Sequence, residues 1–466
     1  MARSVRLVPV LLASALGLTA CGGGVQGTPG ASGVRDAYFP KAGNGGYDVT
    51  HYALRLAYAP DTRHLTGTAT LTARATQDLS AFNLDLRGLE VEDVTVGRDT
   101  ARFHRAGQEL TVRPPGDLDR GEVFRVTVRY SGAPETVTDP DGSEEGWLRT
   151  ADGVLALGEP TGSMAWFPGN HHPSDKAAYD LTVTVPQGLR AVSNGEPRGE
   201  TTRQGRTTFT WRSAEPMASY LATLAIGRFD VSRSRAGDLP VYTAVDPAEA
   251  EGSRAVLARI PEVLRWAERW FGPYPFSAAG AIVDRAPEVG YALETQTRPV
   301  FPGAPDMTLL VHELAHQWYG DSVTPRSWRD MWLNEGFATY AEWLWEEEHG
   351  GRSAQETFDA LYSGDSPGAG ADAGALWEFP PAKPPSAARI SDPPVYGRGA
   401  MVLHKVRQAV GDETFRRLLR GWADTYRHGN ADTADFTAFV EERAPGADVQ
   451  GIWDDWLYGE GKPERA

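Results

Sequence analysis

The sequence predicts an α+β protein in which an antiparallel β domain precedes a mostly helical domain. Between Tyr47 and about Asp230, apolar and polar residues alternate with a period of two, which is typical of strands with one polar face. After Asp230 the apolar residues recur at the three- and four-residue spacing of helices. The chain has 466 residues, enough to bury more than one large core, so we expect at least two domains.

The composition is that of a soluble globular protein. Hydrophobic residues make up 41% of the chain and charged residues 23%. Acidic residues outnumber basic ones by 62 to 46, which gives a formal net charge of −16. Nucleic-acid-binding surfaces are basic, so this balance argues against a nucleic-acid partner.

The first 46 residues have the pattern of an export signal followed by a linker. Arg3 and Arg6 precede a short apolar run from Leu7 to Leu18, which is typical of a signal peptide. The run ends in Leu-Thr-Ala-Cys, which resembles a bacterial lipobox, and Cys21 is the only cysteine. We expect a signal peptide over residues 1–21, lipidation at Cys21, a flexible tether over 22–46, and a location at the bacterial cell surface. A plain secretory signal is the alternative.

The β domain is expected over residues 47–230. Its alternating stretches are separated by turn signals such as Pro140-Asp141-Gly142. Strands of this kind, each with one polar face, build antiparallel sheets.

The second domain is expected over residues 231–466. A helical apolar stripe runs from Val256 to Phe271 and stops at Gly272-Pro273. Ala281-Ile282-Val283 follows as a buried strand. Further along, after the next helices, a long loop rich in Gly, Pro and Ala precedes the last part of the chain.

The motif that carries chemistry is His312-Glu313-Leu314-Ala315-His316. Residues four apart on a helix share one face, so both imidazoles can bind one metal ion while Glu313 reaches a water beside it. A catalytic zinc takes three protein ligands, and Glu335, which lies 19 positions after His316, can return from a second helix as the third. Asp306 or Thr308 can cap the first helix.

This region resembles the aminopeptidase N-like zinc metallopeptidases, a thermolysin-related family. The resemblance lies in the motif, in its spacing to Glu335, and in the surrounding sequence at residues 312–321 and 332–338. It implies a saddle-shaped N-terminal β domain, a thermolysin-like catalytic domain and one zinc ion per chain. It also implies that His312, His316 and Glu335 hold the zinc and that Glu313 is the general base. The long C-terminal helical region of the larger relatives has no counterpart here.

The resemblance extends to two carboxylates that would bind the free amine of a peptide. Glu294 stands where the family has Gly-Ala-Met-Glu-Asn, although Tyr291 and Thr295 depart from that pattern. Glu159 lies in Gly158-Glu159-Pro160 and matches a family Gln or Glu, but Met164 stands where the family often has Arg.

The resemblance also implies an oxyanion donor. Val395-Tyr396-Gly397-Arg398-Gly399-Ala400 matches the family's Tyr-x-Lys-Gly-Ala with Arg398 in place of Lys. We therefore expect Tyr396 to donate a hydrogen bond to the oxyanion that develops during hydrolysis. A buried aromatic at a helix start is the alternative reading of Tyr396.

The sequence thus predicts a zinc-dependent aminopeptidase that acts on peptides with a free N-terminus. We expect it to contact the membrane only through its lipid anchor. Two alternatives stay open. One is an endopeptidase of the same mechanism, which the altered Tyr291 and Thr295 make possible. The other is a surface lipoprotein that keeps zinc without catalysis.

Overall fold

The computed structural model describes residues 27–364 and 374–465. The predicted signal peptide and Cys21 lie outside these residues. No helix in the two ranges combines the length and the apolar character that crossing a bilayer requires.

The chain up to Gly227 is built from strands. In chain order these are β1 (Thr28–Pro29), β2 (Tyr47–Ala59), β3 (His64–Ala75), β4 (Leu79–Asp85), β5 (Glu90–Val96), β6 (Asp99–Thr100), β7 (Arg102–Ala106), β8 (Glu109–Arg113), β9 (Val123–Gly132), β10 (Thr136–Thr138), β11 (Glu144–Arg149), β12 (Val154–Leu157), β13 (Lys176–Pro186), β14 (Arg190–Ser193), β15 (Glu196–Arg203), β16 (Arg206–Ala218) and β17 (Leu224–Gly227).

These strands form three sheets. The largest has the order β15-β16-β13-β2-β3-β9-β5-β6, and the others are β10-β11-β12-β17-β14 and β1-β4-β8-β7. Along β2 the alternation is that of a sheet with one buried face, since Leu54, Leu56 and Tyr58 are at most 3% exposed. The pairing is antiparallel except where β13 runs parallel to β2 and β1 runs parallel to β4. The parallel contact arises because β13 returns to the sheet after a long connection rather than through a hairpin.

The architecture changes at Asp230. The strands that follow are β18 (Asp230–Ala236), β19 (Leu239–Val245), β20 (Ala279–Val283), β21 (Val300–Phe301), β22 (Thr324–Pro325) and β23 (Asn430–Ala431). The helices are α1 (Ala250–Leu257), α2 (Ile260–Phe271), α3 (Met307–Ala315), α4 (Trp332–Glu348), α5 (Ala354–Ser363), α6 (Gly399–Val410), α7 (Asp412–Thr425), α8 (Thr433–Arg443) and α9 (Gln450–Ile452).

Strands β18 to β21 form one sheet in that order. Helices α1 and α2 contact this sheet, and α4 packs against α3 and α6. The expected apolar stripe from Val256 to Phe271 is divided between α1 and α2, because Pro261 lies at the start of α2 and cannot continue a preceding helix. A strand-built first part and a mostly helical second part confirm the predicted α+β class.

The two parts are joined by a buried arginine. Arg298, which is fully buried, donates hydrogen bonds to the backbone carbonyls of Ser193 and Gly195 in the first part and of Tyr242 in the second. Its guanidinium also lies 4.8 Å from the ring centroid of Trp211. Since a buried cation must satisfy its donors internally, this side chain holds the two parts in one relative position.

Residues 27–46, which belong to the predicted flexible tether, are folded onto the protein. Thr28 and Pro29 pair with β4, and the carboxylate of Asp36 accepts hydrogen bonds from the Ser327 hydroxyl and the Trp328 backbone amide. The glycine-rich composition favoured a linker, but Asp36 has partners that lie 291 and 292 positions away and cannot be inferred from local composition.

Candidate active site

Helix α3 presents the two histidines of the motif. The Asp306 side chain, one of the two caps that the sequence allowed, caps the helix by accepting a hydrogen bond from the Leu309 backbone amide at 2.8 Å. His312 lies in the last turn of α3, and His316 follows its end with helical angles (φ −55°, ψ −26°). The two imidazoles therefore lie one turn apart on the same face.

Helix α4 brings Glu335 to these histidines. Glu335 Oε2 lies 3.2 Å from His312 Nε2 and 3.5 Å from His316 Nε2, and the three ligand atoms all lie within 4.8 Å of one another. Ligand atoms bound to one tetrahedral zinc lie roughly 3.3–3.6 Å apart, given metal–ligand distances of about 2.0–2.2 Å. Two imidazole nitrogens and one carboxylate oxygen, all buried, fit a zinc site that keeps a fourth position open.

The other nitrogen of each ring is held by an acceptor. His312 Nδ1 donates to Glu342 at 2.6 Å, and His316 Nδ1 donates to the Tyr319 carbonyl at 3.0 Å. With the proton held on Nδ1, each Nε2 would be free to bind a metal ion. Sequence reasoning missed Glu342, although it lies seven residues after Glu335 and therefore two turns along the same face of α4.

Replacing Glu342 by Ala is expected to weaken zinc binding by about 10- to 100-fold, because the His312 ring loses the partner that orients it. Competition with a chromophoric chelator measures this constant. The matched control is Glu346→Ala, an exposed carboxylate on the same helix, which should leave zinc affinity unchanged. Equal affinities for the two variants would contradict the assigned role of Glu342.

Glu313 projects from α3 into the same cavity. The residue is 4% exposed, and its Oε2 has no hydrogen-bond partner among the described residues. Burial raises the pKa of the Glu313 carboxyl to about 8, while the two neighbouring histidines lower it. A carboxyl with a free oxygen and a raised pKa is suited to accept and release a proton near neutral pH.

Glu294 and Glu159 reach this cavity from the two parts of the chain. Glu294 is 2% exposed, and Asn334 of α4 donates to its Oε1 at 3.0 Å. Glu159 follows β12, and its Oε1 is buried without a partner among the described residues. Burial, and then the charges of neighbouring glutamates, raises the pKa of the Glu159 carboxyl well above its usual range. The unpartnered oxygen favours a cationic ligand at this point.

Tyr291 and Thr295, the two residues that depart from the family's Gly-Ala-Met-Glu-Asn motif, lie in different places. Tyr291 lines the cavity, and its hydroxyl donates to the Glu144 carbonyl of β11 at 2.9 Å. The Thr295 hydroxyl donates to the Arg298 carbonyl at 2.6 Å, and Thr295 is fully buried away from the cavity wall. Tyr291 therefore contributes to the shape of the site, whereas Thr295 supports the backbone behind it.

Tyr396 lies opposite the motif on a single π-helical turn (Pro394–Arg398) that precedes α6. Its ring stacks near His312, with centroids 6.2 Å apart and an interplanar angle of 16°. Gly336 of α4 meets Gly399 of α6 so closely that a Cβ at Gly336 would lie 3.0 Å from the Gly399 carbonyl carbon. This glycine contact sets the distance between the helix that carries Glu335 and the turn that carries Tyr396.

Arg398, the residue that replaces the family lysine, is fully buried and turns away from the cavity. Its guanidinium donates to the backbone carbonyls of Asp455, Trp456 and Gly461. It therefore fixes the end of the chain against α6 rather than contacting a substrate.

All the predicted site residues of the two parts line one cavity of about 630 Å³. They are His312, Glu313, His316, Glu335, Glu294, Glu159 and Tyr396. Among the described residues that line it there is no lysine or arginine. An acidic cavity of this kind accepts cations, namely a metal ion and a substrate ammonium group.

Comparison with known proteins decides the family. Residues 304–456 match the peptidase family M1 domain, and residues 48–221 match the peptidase M1 N-terminal domain. A crystal structure of an M1 zinc metallopeptidase mutant from Deinococcus radiodurans, bound to Tyr-Ser-Ala, is 31% identical with a TM-score of 0.85, and the match covers 93% of this chain and 100% of that chain.

The chain belongs to peptidase family M1. This membership confirms the predicted family and the zinc metallopeptidase assignment. A two-domain M1 zinc metallopeptidase mutant bound to L-tryptophan is also 31% identical, with a TM-score of 0.85 and coverage of 93% of this chain and 99% of that chain.

Curated relatives in the family are longer. A probable aminopeptidase 2 from Sulfurisphaera tokodaii is 29% identical over 339 residues, and a leucyl aminopeptidase from Saccharolobus solfataricus is 26% identical over 332 residues. Each match covers 66% of this M1 chain and 41% of the relative. The chain thus matches less than half the length of these two relatives.

Proposed function

We propose that this protein is a zinc-dependent aminopeptidase that removes the first residue from peptides. The observation that carries the proposal is one cavity in which three zinc-type ligands, the free carboxyl of Glu313 and two further buried glutamates converge. The names of the relatives, which are aminopeptidases and M1 zinc metallopeptidases, support it.

His312, His316 and Glu335 would hold the zinc ion, whose chemistry when bound is to polarise the scissile carbonyl and to acidify a water molecule. Glu313 takes the proton from the attacking water and delivers it to the leaving nitrogen of the peptide bond. Tyr396 donates a hydrogen bond to the carbonyl oxygen as negative charge develops on it. Burial, and then the nearby glutamate charges, raises the pKa of Tyr396 well above its usual range, so its hydroxyl stays protonated for this task.

Glu294 and Glu159 explain why the first peptide bond is the one that is cut. Both carboxylates lie in a poorly hydrated cavity, where a charge-assisted hydrogen bond to the ammonium group is strong. With the amine held there, only the first carbonyl reaches the zinc ligands. An endopeptidase of the same mechanism would not need two further buried glutamates beside Glu313, and the free oxygen of Glu159 therefore favours the exopeptidase.

A peptide with a free amine is expected to be cleaved with a kcat/KM at least about 100-fold above that of its Nα-acetylated twin, because hydrogen bonds to charged groups contribute about 1.5–3 kcal/mol each. Chromatographic quantification of the released first residue measures both rates. In a Glu294→Ala protein the ratio should shrink, since one anchor is gone. Equal cleavage of the free and the blocked peptide by the unsubstituted enzyme would instead identify an endopeptidase.

Export with a lipid on Cys21 is part of the same proposal. Its support is the sequence pattern that ends at the single cysteine of the chain. A Cys21→Ser protein is expected to leave the membrane fraction for the soluble one, because it lacks the residue that would be acylated. Immunoblots of fractionated cells test this, and an unchanged membrane fraction would exclude the lipid anchor.

A further inference from the structure

The segment Asp36–Phe39, here called the N-terminal strap, crosses from the first part of the chain to the catalytic part. The Asp36 carboxylate is 6% exposed and accepts hydrogen bonds from the backbone amides of Tyr38 and Phe39 at 2.8 and 3.0 Å. It also accepts hydrogen bonds from the Ser327 hydroxyl at 2.7 Å and the Trp328 amide at 3.1 Å. Burial raises the pKa of Asp36, but the hydrogen bond with the His172 side chain, and then those with Phe39, Ser327 and Tyr38, bring it well below its usual range, so the strap is held by a charged anchor.

The anchor places Phe39 in the wall of the active-site cavity. The Phe39 ring packs edge-on against Trp328, with centroids 5.9 Å apart, and the half-buried side chain lines the same cavity as Glu294 and Glu313. The family's N-terminal domain match begins at residue 48, so the strap lies outside it. Phe39 is thus a feature of this chain that the family resemblance did not predict.

Phe39 lines the same cavity as Glu294 and Glu159, the two carboxylates that would bind the substrate amine. Trp328 packs against Tyr220, with ring centroids 5.2 Å apart. The side chain of a peptide's first residue branches one bond from the amine that these carboxylates would bind. That side chain is therefore the part of a substrate that can reach Phe39.

Other apolar side chains line the cavity together with Phe39. Ala387 and Ile390 line the cavity with it, on the loop that leads to Tyr396. On the facing hairpin, Asp139 also lines the cavity, but burial and the neighbouring Glu145 raise the pKa of Asp139 to about 10.

We propose that Phe39 determines specificity by forming the wall of the subsite for the first side chain, which favours peptides that begin with a large apolar or aromatic residue. The proposal rests on the aminopeptidase function proposed above and adds its substrate class. Burial of apolar surface against the ring supplies the preference, and Asp36 keeps the ring in place.

Steady-state kinetics with leucyl, phenylalanyl, alanyl and arginyl reporter substrates test the proposal. The Phe39→Ala enzyme is expected to lose about tenfold in kcat/KM on the leucyl and phenylalanyl reporters, mainly through KM, since a missing apolar contact in a pocket changes rates by about 10- to 200-fold. Its rate on the alanyl reporter should change less than about twofold, because that side chain does not reach the ring. Phe39→Leu should retain most of the preference.

Two controls test whether Phe39 contacts the substrate or only supports the fold. Phe103→Ala removes a 38% exposed phenylalanine of β7 and should alter neither the preference nor the rates. Melting temperatures of all variants report folding. A uniform loss on all four reporters, an unchanged preference in Phe39→Ala, or a wild-type preference for the arginyl reporter would overturn the proposal.

A binding measurement distinguishes a wrong assignment of Phe39 from a wrong assignment of the aminopeptidase function. Calorimetry of Phe-Ser-Ala and Ala-Ser-Ala binding to Glu313→Gln protein, with and without Phe39→Ala, measures the same preference without turnover. Suppose that no reporter were hydrolysed, but Phe-Ser-Ala still bound about tenfold more tightly than Ala-Ser-Ala, and only when Phe39 is present. The aminopeptidase function would then be contradicted, while the role of Phe39 in the subsite would be supported. Equal binding of both peptides would overturn the wall.

Discussion

A Glu313→Gln protein is expected to lose about 10²- to 10⁴-fold in kcat while keeping one zinc ion per chain, because proton transfer by a positioned carboxyl accounts for a factor of that size. Glutamine has the size of glutamate and can still hold a water by a hydrogen bond, but it cannot take a proton. Glu313 is not one of the three ligands His312, His316 and Glu335, so zinc binding should survive, although ligand-type atoms of Glu294, Glu313 and His316 also lie within 4.8 Å of one another.

The measurement pairs turnover of a free-amine peptide with zinc content by elemental analysis. Glu346→Gln on α4 is the matched control, since it makes the same chemical change at an exposed glutamate that does not line the cavity. A Glu313→Gln protein that retains zinc and cleaves at the wild-type rate would contradict the mechanism. Loss of zinc in this variant would instead show that Glu313 supports the metal site.

Replacing Tyr396 by Phe is expected to lower kcat by about 10²- to 10³-fold with little change in KM, because the lost hydrogen bond forms only as charge develops on the carbonyl oxygen. The π-helical turn and the Gly336–Gly399 contact hold the ring in place whether or not its hydroxyl is present. The substitution should therefore remove one donor without moving the site.

The matched control for Tyr396 is Tyr340→Phe. Tyr340 is a buried tyrosine of α4 whose hydroxyl contacts His404 at 3.0 Å and which does not line the cavity. Rapid-mixing kinetics separate kcat from KM for both variants. Undiminished kcat in Tyr396→Phe would remove this hydroxyl from the mechanism, and an equal loss in Tyr340→Phe would indicate a general effect of disturbing α4.

The metal site could be predicted from the sequence because its geometry is mostly local. Four-residue spacing on a helix places His312 and His316 on one face whatever surrounds them. The spacing to Glu335 allows a loop and a second helix, and the structure brings the three ligand atoms together as that spacing suggested. The change of period near Asp230 likewise predicted the change from strands to helices.

Other parts of the site could not be predicted in this way. Asn334 orients Glu294, and Glu342 orients His312, through contacts between side chains 40 and 30 positions apart. Composition alone suggested a tether over residues 22–46, yet Asp36 binds Ser327 and Trp328.

The sequence by itself determined the periods of the two parts, the helix that carries the motif and the ligands that a zinc ion would take, because these depend on spacing along the chain. Only the tertiary structure decided that Glu159 and Phe39 of the first part share a cavity with Glu313 of the second. The physical reason is that packing between sheets and helices brings together residues whose separation in sequence carries no periodic signal, and that buried groups such as Arg298 then hold those surfaces in one arrangement.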